Sequence, residues 1–254
     1  KHRDQNFNEL LSIFISDEKL KGVLGQLWMY LGLPPELATA NYSNCVFTSS
    51  FIEGSYHIKG GGVSVSEAIV ERLEETGVKL FLRNGVRQII SEQGNVKGLE
   101  LESGEYVEAK YVVSNADPYQ TIFELLPEDK ISQIFKHRLK QMESSLSVYS
   151  MYIGLDCPTG ELNIPTSNYF FNESYDHTKS YQFSVENQLN KTDWILSNYA
   201  SSFNEFSNEK NGVISIAELT GPGLWFTLPN DKYKQEKEQV KDILLAKYNK
   251  QFPG

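Results

Sequence analysis

The chain has 254 residues, 40% of them apolar and 22% charged, a globular balance that argues against disorder and suits one large domain or two smaller ones. Its 33 acidic side chains against 24 basic ones give a formal net charge of −9, so the surface repels polyanions and nucleic acid is not an expected partner. Cys45 and Cys157 stand far apart, outside any Cys-x-x-Cys spacing, which argues against a disulfide framework or a thiolate metal site and reads as two buried, reduced thiols.

The first residues, Lys1 to Phe7, carry neither a helix cap nor a strand pattern, and the last four follow a strong helix directly. Both ends therefore read as cut. From Asp17 to Tyr30 the apolar residues Leu20, Leu24, Leu27 and Met29 recur at helical spacing behind acidic residues, which predicts a helix. Pro34-Pro35-Glu36 predicts the start of a second helix running to about Phe47. The bulky set Trp28, Tyr30, Tyr42, Phe47 and Phe51 reads as core or as ligand lining.

A glycine run, Gly60 to Gly62, then feeds a helix in which Ser64 and Glu67 have capping-box spacing and Gly77 sits where a left-handed residue ends the helix. Val78 to Leu82 predicts a short strand. From Val86 onward, three β-rich runs separated by Gln93-Gly94-Asn95 and Ser103-Gly104-Glu105 predict an antiparallel meander. Tyr111-Val112-Val113 is apolar without alternation, as in a strand buried on both faces.

Helices are expected over Tyr119 to Leu126 and Asp129 to Met142, the second with Ile131, Ile134, Phe135, Leu139 and Met142 on its inward face and Lys136, His137, Arg138 and Lys140 as a solvated surface. Leu146 to Leu155, Tyr169 to Phe171, Trp194 to Asn198 and Val213 to Leu219 predict strands of a second sheet, and Asp231 to Lys250 an amphipathic helix. The fold class is therefore mixed α/β, of the α+β kind.

Catalytic signatures are few. There is no His-Glu-x-x-His, Gly-x-Ser-x-Gly or phosphate-binding Walker loop, and the histidines at 2, 57, 137 and 177 share no metal-ligand spacing, so no metal site is expected. The glycines at 60–62 lack the third glycine and the leading strand of a dinucleotide fingerprint. They form a plain tight turn or let backbone N–H groups approach a ligand. The Asn-x-Ser/Thr sequons at Asn41, Asn172 and Asn190 are short enough to arise by chance, and no secretory signal opens the chain, so it reads as cytoplasmic. No apolar run reaches the ~20 residues that span a bilayer, which leaves peripheral membrane contact open.

Taken together, GSYHIKGG from Gly54 to Gly61, the helix after it, GVKLFLRNGVRQI, the meander and YVVSNADPYQTIFELLP resemble the phytoene desaturase, carotenoid isomerase and retinol saturase family of flavoproteins. The segment FISDEKLKGVLGQLWMYLGLPPELATA is similar to the helices that precede this motif in the retinol saturase branch. The resemblance implies part of a Rossmann-like FAD-binding domain over residues 54–117. Residues 1–53 would then supply the helical part of a substrate domain, and 118–254 its mixed sheet and helices.

It further implies flavin contacts from Gly60, Gly61 and Gly62, adenine recognition by the backbone of Val86, and contacts from Ser114, Asn115 and Ala116 in the turn below the dinucleotide. Ser114 and Asn115 suit a locally satisfied turn equally well. Where the family often has Pro after Tyr56, this chain has His57, to which no catalytic role is given. The family's strand with Gly-x-Gly-x-x-Gly and its final flavin-contacting segment are missing. FAD is accordingly expected in the full-length parent and not in this piece alone.

The implied activity is redox chemistry on carbon–carbon double bonds of a polyene or isoprenoid lipid, with an apolar substrate that Tyr149, Tyr152, Tyr169, Phe170 and Phe171 would wall or merely support as core. A flavin amine oxidase, or a flavin-free carrier or interaction domain, are the alternatives.

Overall fold

The computed structural model describes residues 4–56, 58, 61–127, 131–162, 164, 167–198, 212–226 and 228–253. In chain order the helices and strands are α1 (Phe7–Ser12), α2 (Glu18–Gly25), α3 (Trp28–Leu31), α4 (Ala40–Phe51), α5 (Gly61–Glu75), β1 (Val86–Glu92), β2 (Asn95–Leu101), β3 (Tyr106–Glu108) and α6 (Pro118–Gln120). They continue as α7 (Gln133–Lys140), β4 (Ser147–Gly154), β5 (Asn168–Phe171), α8 (His177–Val185), β6 (Trp194–Asn198), β7 (Val213–Thr220), α9 (Gly223–Phe226) and α10 (Asn230–Gln251). Two compact units result, Lys1–Val65 with Ser144–Gly254, and Ser66–Glu143.

The first unit is built on a four-stranded antiparallel sheet in the order β4-β7-β6-β5. Because side chains alternate across a strand, β7 sends Ile214 and Ile216 to one face, where Trp194 and Leu196 of β6 meet Val240 and Leu244 of α10. Leu219 and Ile195 point the other way, against Trp28 and Met29 of α3. Both faces of the two central strands are thus covered, and β6 is buried along its whole length. The four strands and α10 lie close to their expected positions. Tyr149, Tyr169 and Phe171 pack on the α10 side, Phe171 stacking on Trp194 at 4.0 Å, while Phe170 meets Tyr30 edge-on at 5.2 Å and Tyr152 is exposed.

The helical N-terminal part departs from the sequence reading in three places. Asn6 caps α1 in a full capping box with Glu9, although no cap was expected there. The helix expected from Asp17 to Tyr30 is broken after Gly25, where Pro35 and His177 press so close that a Cβ would collide with Pro35. The helix expected from Pro35 begins at Ala40, after a single turn in which Leu37 and Ala38 donate to the Pro34 carbonyl. Cys45, on α4, is exposed rather than buried.

In the second unit β1, β2 and β3 form the expected meander. Gln93 and Gly94 both have positive φ (48° and 80°), the conformation of a two-residue hairpin turn that matches strand twist. Gly77 closes α5 in a left-handed conformation, with Val78 N–H donating to Leu73 and Gly77 N–H to Glu74, the paired bonds that satisfy a helix end. Ser64 does not cap this helix: Gly61 turns the chain at φ 73°, and α5 starts three residues before Ser64. Asp117 caps α6, with Pro118 at its first position, and one π-helical turn, Thr121–Leu125, follows.

Two predicted strands do not form among the described residues. Val78 to Leu82 and Tyr111 to Val113 have no ladder partner, and Tyr111 and Val113 are 89% and 97% exposed. A strand exists only by pairing, so apolar sequence alone leaves these segments extended and uncovered. The inward face expected of α7 does not form: Ile134 and Phe135, and Met142 beyond the helix, face solvent and Lys136 is buried, whereas His137, Arg138 and Lys140 are exposed as expected and Leu139 is half-buried.

Candidate functional site

Of the residues singled out by resemblance, Gly60 and His57 lie outside the described residues. Gly61 and Gly62 open α5, and a Cβ added to either meets nothing within 4 Å, so the backbone there is free to receive a neighbour. They belong to the first unit, whereas Val86 and the 114–116 turn belong to the second. Val86 is the first residue of β1, which among the described residues pairs with β2 alone, so one row of its N–H and C=O groups points away from the meander. Ser114 is hydrogen-bonded to Thr121 Oγ1 at 2.8 Å, and its Oγ accepts from Ala116 N–H. Asn115 is exposed in the same turn.

Three features of the first unit were not singled out by the sequence. Asp193, at the head of β6 and fully buried, accepts from Glu173 N–H at 3.0 Å, Ser180 Oγ at 3.1 Å and Asn172 Nδ2 at 2.9 Å. It pins the β5–α8 loop to the sheet. Beside it His177 Nε2 lies 2.7 Å from the Gly22 carbonyl, which can only accept, so Nε2 carries a proton, and Nδ1 faces Asp193 at 3.9 Å. This clasp ties α2 to α8, and Gly22 permits it because a Cβ there would collide with Tyr175. Asp176 before His177 was a legible helix cap; the Gly22 and Asp193 partners were not.

The second feature is a buried ion pair. Glu218 Oε2 of β7 accepts from Lys247 Nζ of α10 at 2.9 Å and from Thr192 Oγ1 at 2.9 Å, while Oε1 is buried without a partner. Burial pushes the Glu218 carboxyl above its ordinary range, and the Lys247 ammonium offsets only part of that. Nearby, burial and then the Glu238 carboxylate raise Tyr149, whose hydroxyl donates to the Lys237 carbonyl at 3.0 Å.

The third is a hollow of about 10 Å³ among α1 to α4, lined by Phe7, Leu24, Leu27, Trp28, Leu31, Leu33, Pro35, Ser43 and Phe47. Two of the lining residues carry a buried polar atom without a hydrogen-bond partner, Trp28 Nε1 and Ser43 Oγ. A serine four residues before Phe47, on the buried side of α4, was the one sequence signal for it. Among the described residues no group of His, Cys, Asp and Glu is placed to hold a metal ion, and no helix is long and apolar enough to cross a membrane.

Residues 2–236 match the family model described as flavin containing amine oxidoreductase. The chain belongs to that family. Within it, the chain is 34% identical over 170 residues to a phytoene desaturase of Neurospora crassa, covering 64% of this chain and 28% of that protein. It is 23% identical over 222 residues to an all-trans-retinol 13,14-reductase of Danio rerio, covering 85% of this chain and 34% of that one. The chain thus spans about a third or less of these curated relatives. An oxidoreductase structure from Methanosarcina mazei superposes with a TM-score of 0.66 at 14% identity, over 98% of this chain and 53% of that one, which shows a shared fold. The resemblance read from the Tyr56 to Pro127 stretch is borne out, and so is the mixed α/β class of this flavin oxidoreductase fold.

Proposed function

We propose that the protein carrying this chain is an FAD-dependent oxidoreductase acting on carbon–carbon double bonds of a polyene or isoprenoid lipid. The carrying observation is the Gly61-Gly62 start of α5, where a Cβ would meet nothing within 4 Å among the described residues, together with an edge strand that begins at Val86, in a chain whose relatives include phytoene desaturases. These residues suit the cofactor: a glycine turn admits close backbone approach, and an unpaired strand edge offers the N–H and C=O pair that reads an adenine without side-chain help. FAD, when bound, supplies the hydride-accepting or hydride-donating centre. Val86 would hold the adenine end, and Gly60 to Gly62 and the Ser114 to Ala116 turn would lie along the dinucleotide. The sheet of the first unit and its helices would carry the substrate side. On this reading the 254 residues alone retain little FAD, because they contain no Gly-x-Gly-x-x-Gly turn leading into a helix N-terminus that would hold the pyrophosphate.

The same reading supports peripheral contact with a membrane, where an apolar polyene resides. Exposed Ile134 and Phe135 next to His137, Arg138 and Lys140, with exposed Met142 just after the helix, give α7 the composition of an interfacial helix in an otherwise acidic chain.

The test is to purify the full-length protein, record its flavin absorbance, and incubate it anaerobically with phytoene and separately with a primary amine. Bound flavin and a change in conjugation of the polyene are expected. A colourless full-length protein that takes up no added FAD would remove the enzyme reading, and flavin reduction by the amine alone would replace it with amine oxidation.

A further inference from the structure

Asn84 and Gly85, in the turn that leads into β1, carry a set of contacts beyond what a plain turn requires. Asn84 Nδ2 donates to Ser103 Oγ at 3.0 Å, and Ser103 N–H donates to Asn84 Oδ1 at 3.1 Å, so one residue of the β2–β3 turn holds the carboxamide by both of its polar atoms. Gly85 N–H donates to Glu102 Oε2 at 3.4 Å, and Glu102 N–H in turn donates to the Gly85 carbonyl at 2.8 Å. The carboxylate comes this near only because residue 85 is glycine: an added Cβ would stand 2.9 Å from Glu102 Cδ. No side chain therefore shields the Gly85 nitrogen, and the covalent chain itself places Asn84 Cγ where an imide ring can close onto it. Each contact has a role in that one reaction. Glu102 is a base within hydrogen-bond reach of the attacking nitrogen's proton, the Ser103 N–H stabilises charge developing on Oδ1, and the Ser103 hydroxyl stands at the leaving nitrogen.

We propose that Asn84-Gly85 is a self-modifying site, at which the folded chain converts its own Asn84 carboxamide to a carboxylate. Glu102 takes the Gly85 N–H proton, the freed electron pair forms a bond to Asn84 Cγ, and the Cγ–Nδ2 bond breaks. Nδ2 departs as ammonia, carrying that proton by way of the Ser103 hydroxyl. Water then opens the resulting succinimide at either carbonyl and returns a hydrogen to the Gly85 nitrogen, which gives aspartate or isoaspartate. The sum is a water consumed and an ammonia released, with no oxidant or reductant. The isoaspartate product inserts a methylene into the main chain directly before β1, where Gly85 is bonded to Glu102 and Val86 pairs with Leu101. On the proposed reading this disturbs the adenine contact at Val86, but the modification itself does not rest on that reading. All four residues lie in the second unit.

The test incubates the full-length protein at neutral pH, folded and in parallel unfolded in guanidinium chloride. Cleavage at Lys79 and Lys97 releases peptide 80–97, in which chromatography and fragmentation mass spectrometry locate the amide-to-acid mass gain and separate aspartate from isoaspartate at residue 84. The folded parent should convert about tenfold or more faster than the unfolded chain, the contribution of a positioned base and oxyanion donor. Glu102→Gln keeps an acceptor for the Gly85 N–H and removes only the base, so it should fall to the unfolded rate. Conversion no faster in the folded parent than in the unfolded chain would overturn the site. So would a Glu102→Gln protein that converts at the parental rate, and Ser103 would then be only a clamp on the carboxamide. Flavin content reports separately on the proposed reading: a flavin-loaded protein that does not convert Asn84 sinks only this inference, and a flavin-free protein that converts it sinks only the enzyme assignment.

Discussion

Removing Lys247 should unpair a carboxylate in the middle of the first unit's core. Glu218 has no side-chain exposure, and Lys247 Nζ stands 2.9 Å from its Oε2. At that distance and an effective dielectric of about 20 the attraction is about 6 kcal/mol, which desolvation of the two ions largely offsets. Truncation of one partner forfeits the attraction but keeps the other ion's desolvation, so Lys247→Met should cost about 3–5 kcal/mol. Glu218→Gln with Lys247→Met removes both charges and keeps an acceptor for Thr192. That pair should return to within about 1 kcal/mol of the parent.

The pH dependence has a definite sign. The folded Glu218 carboxyl is raised above its ordinary value of 4.5, so the folded state holds that proton more firmly than the unfolded chain does. The stability this lends is complete below the ordinary value and is lost as pH rises through the folded value. Without Lys247 its charge and its hydrogen bond no longer hold the carboxyl down, while the Thr192 hydrogen bond remains, and the Lys247→Met penalty should be smaller at about pH 5 than at about pH 8. Urea midpoints of the full-length protein, followed by near-ultraviolet circular dichroism, measure it. A single-variant penalty below about 1 kcal/mol, or a double variant as unstable as the single one, would refute the reasoning.

Val86→Pro, which deletes the backbone N–H while Val86→Ala retains it, should abolish flavin retention by the full-length protein as measured by its absorbance, with the alanine variant near parental content. Asp193→Ala unpairs Asn172, the Glu173 N–H and Ser180 together. It should cost about 3 kcal/mol in urea unfolding and open the 172–176 loop to limited proteolysis. Ile134→Glu with Phe135→Glu should lower co-sedimentation with anionic vesicles severalfold without changing the urea midpoint, and unaltered vesicle binding would exclude α7 as the membrane contact.

Local chemistry was the legible part. Turn residues such as Gln93-Gly94 and Gly104 and the left-handed stop at Gly77 each act through their own backbone, so the meander and the end of α5 could be read directly, and α10 from its period. The flavin-family resemblance rests on the same kind of local order. What escaped were the partners: the Gly22 carbonyl for His177, Ser180 and Asn172 for Asp193, and Lys247 for Glu218.

The sequence by itself determined where the chain could be helical or extended, because dihedral preference and hydrophobic period are properties of neighbouring residues. Only the tertiary structure decided which of those faces is covered. Tyr111 and Val113 belong to a run with the composition of a buried strand and stand exposed, and α7 turns Lys136 inward and Ile134 and Phe135 outward. A ladder or a packed face needs a second element supplied from far along the chain. Periodicity names the face that needs covering but carries no information on what arrives to cover it.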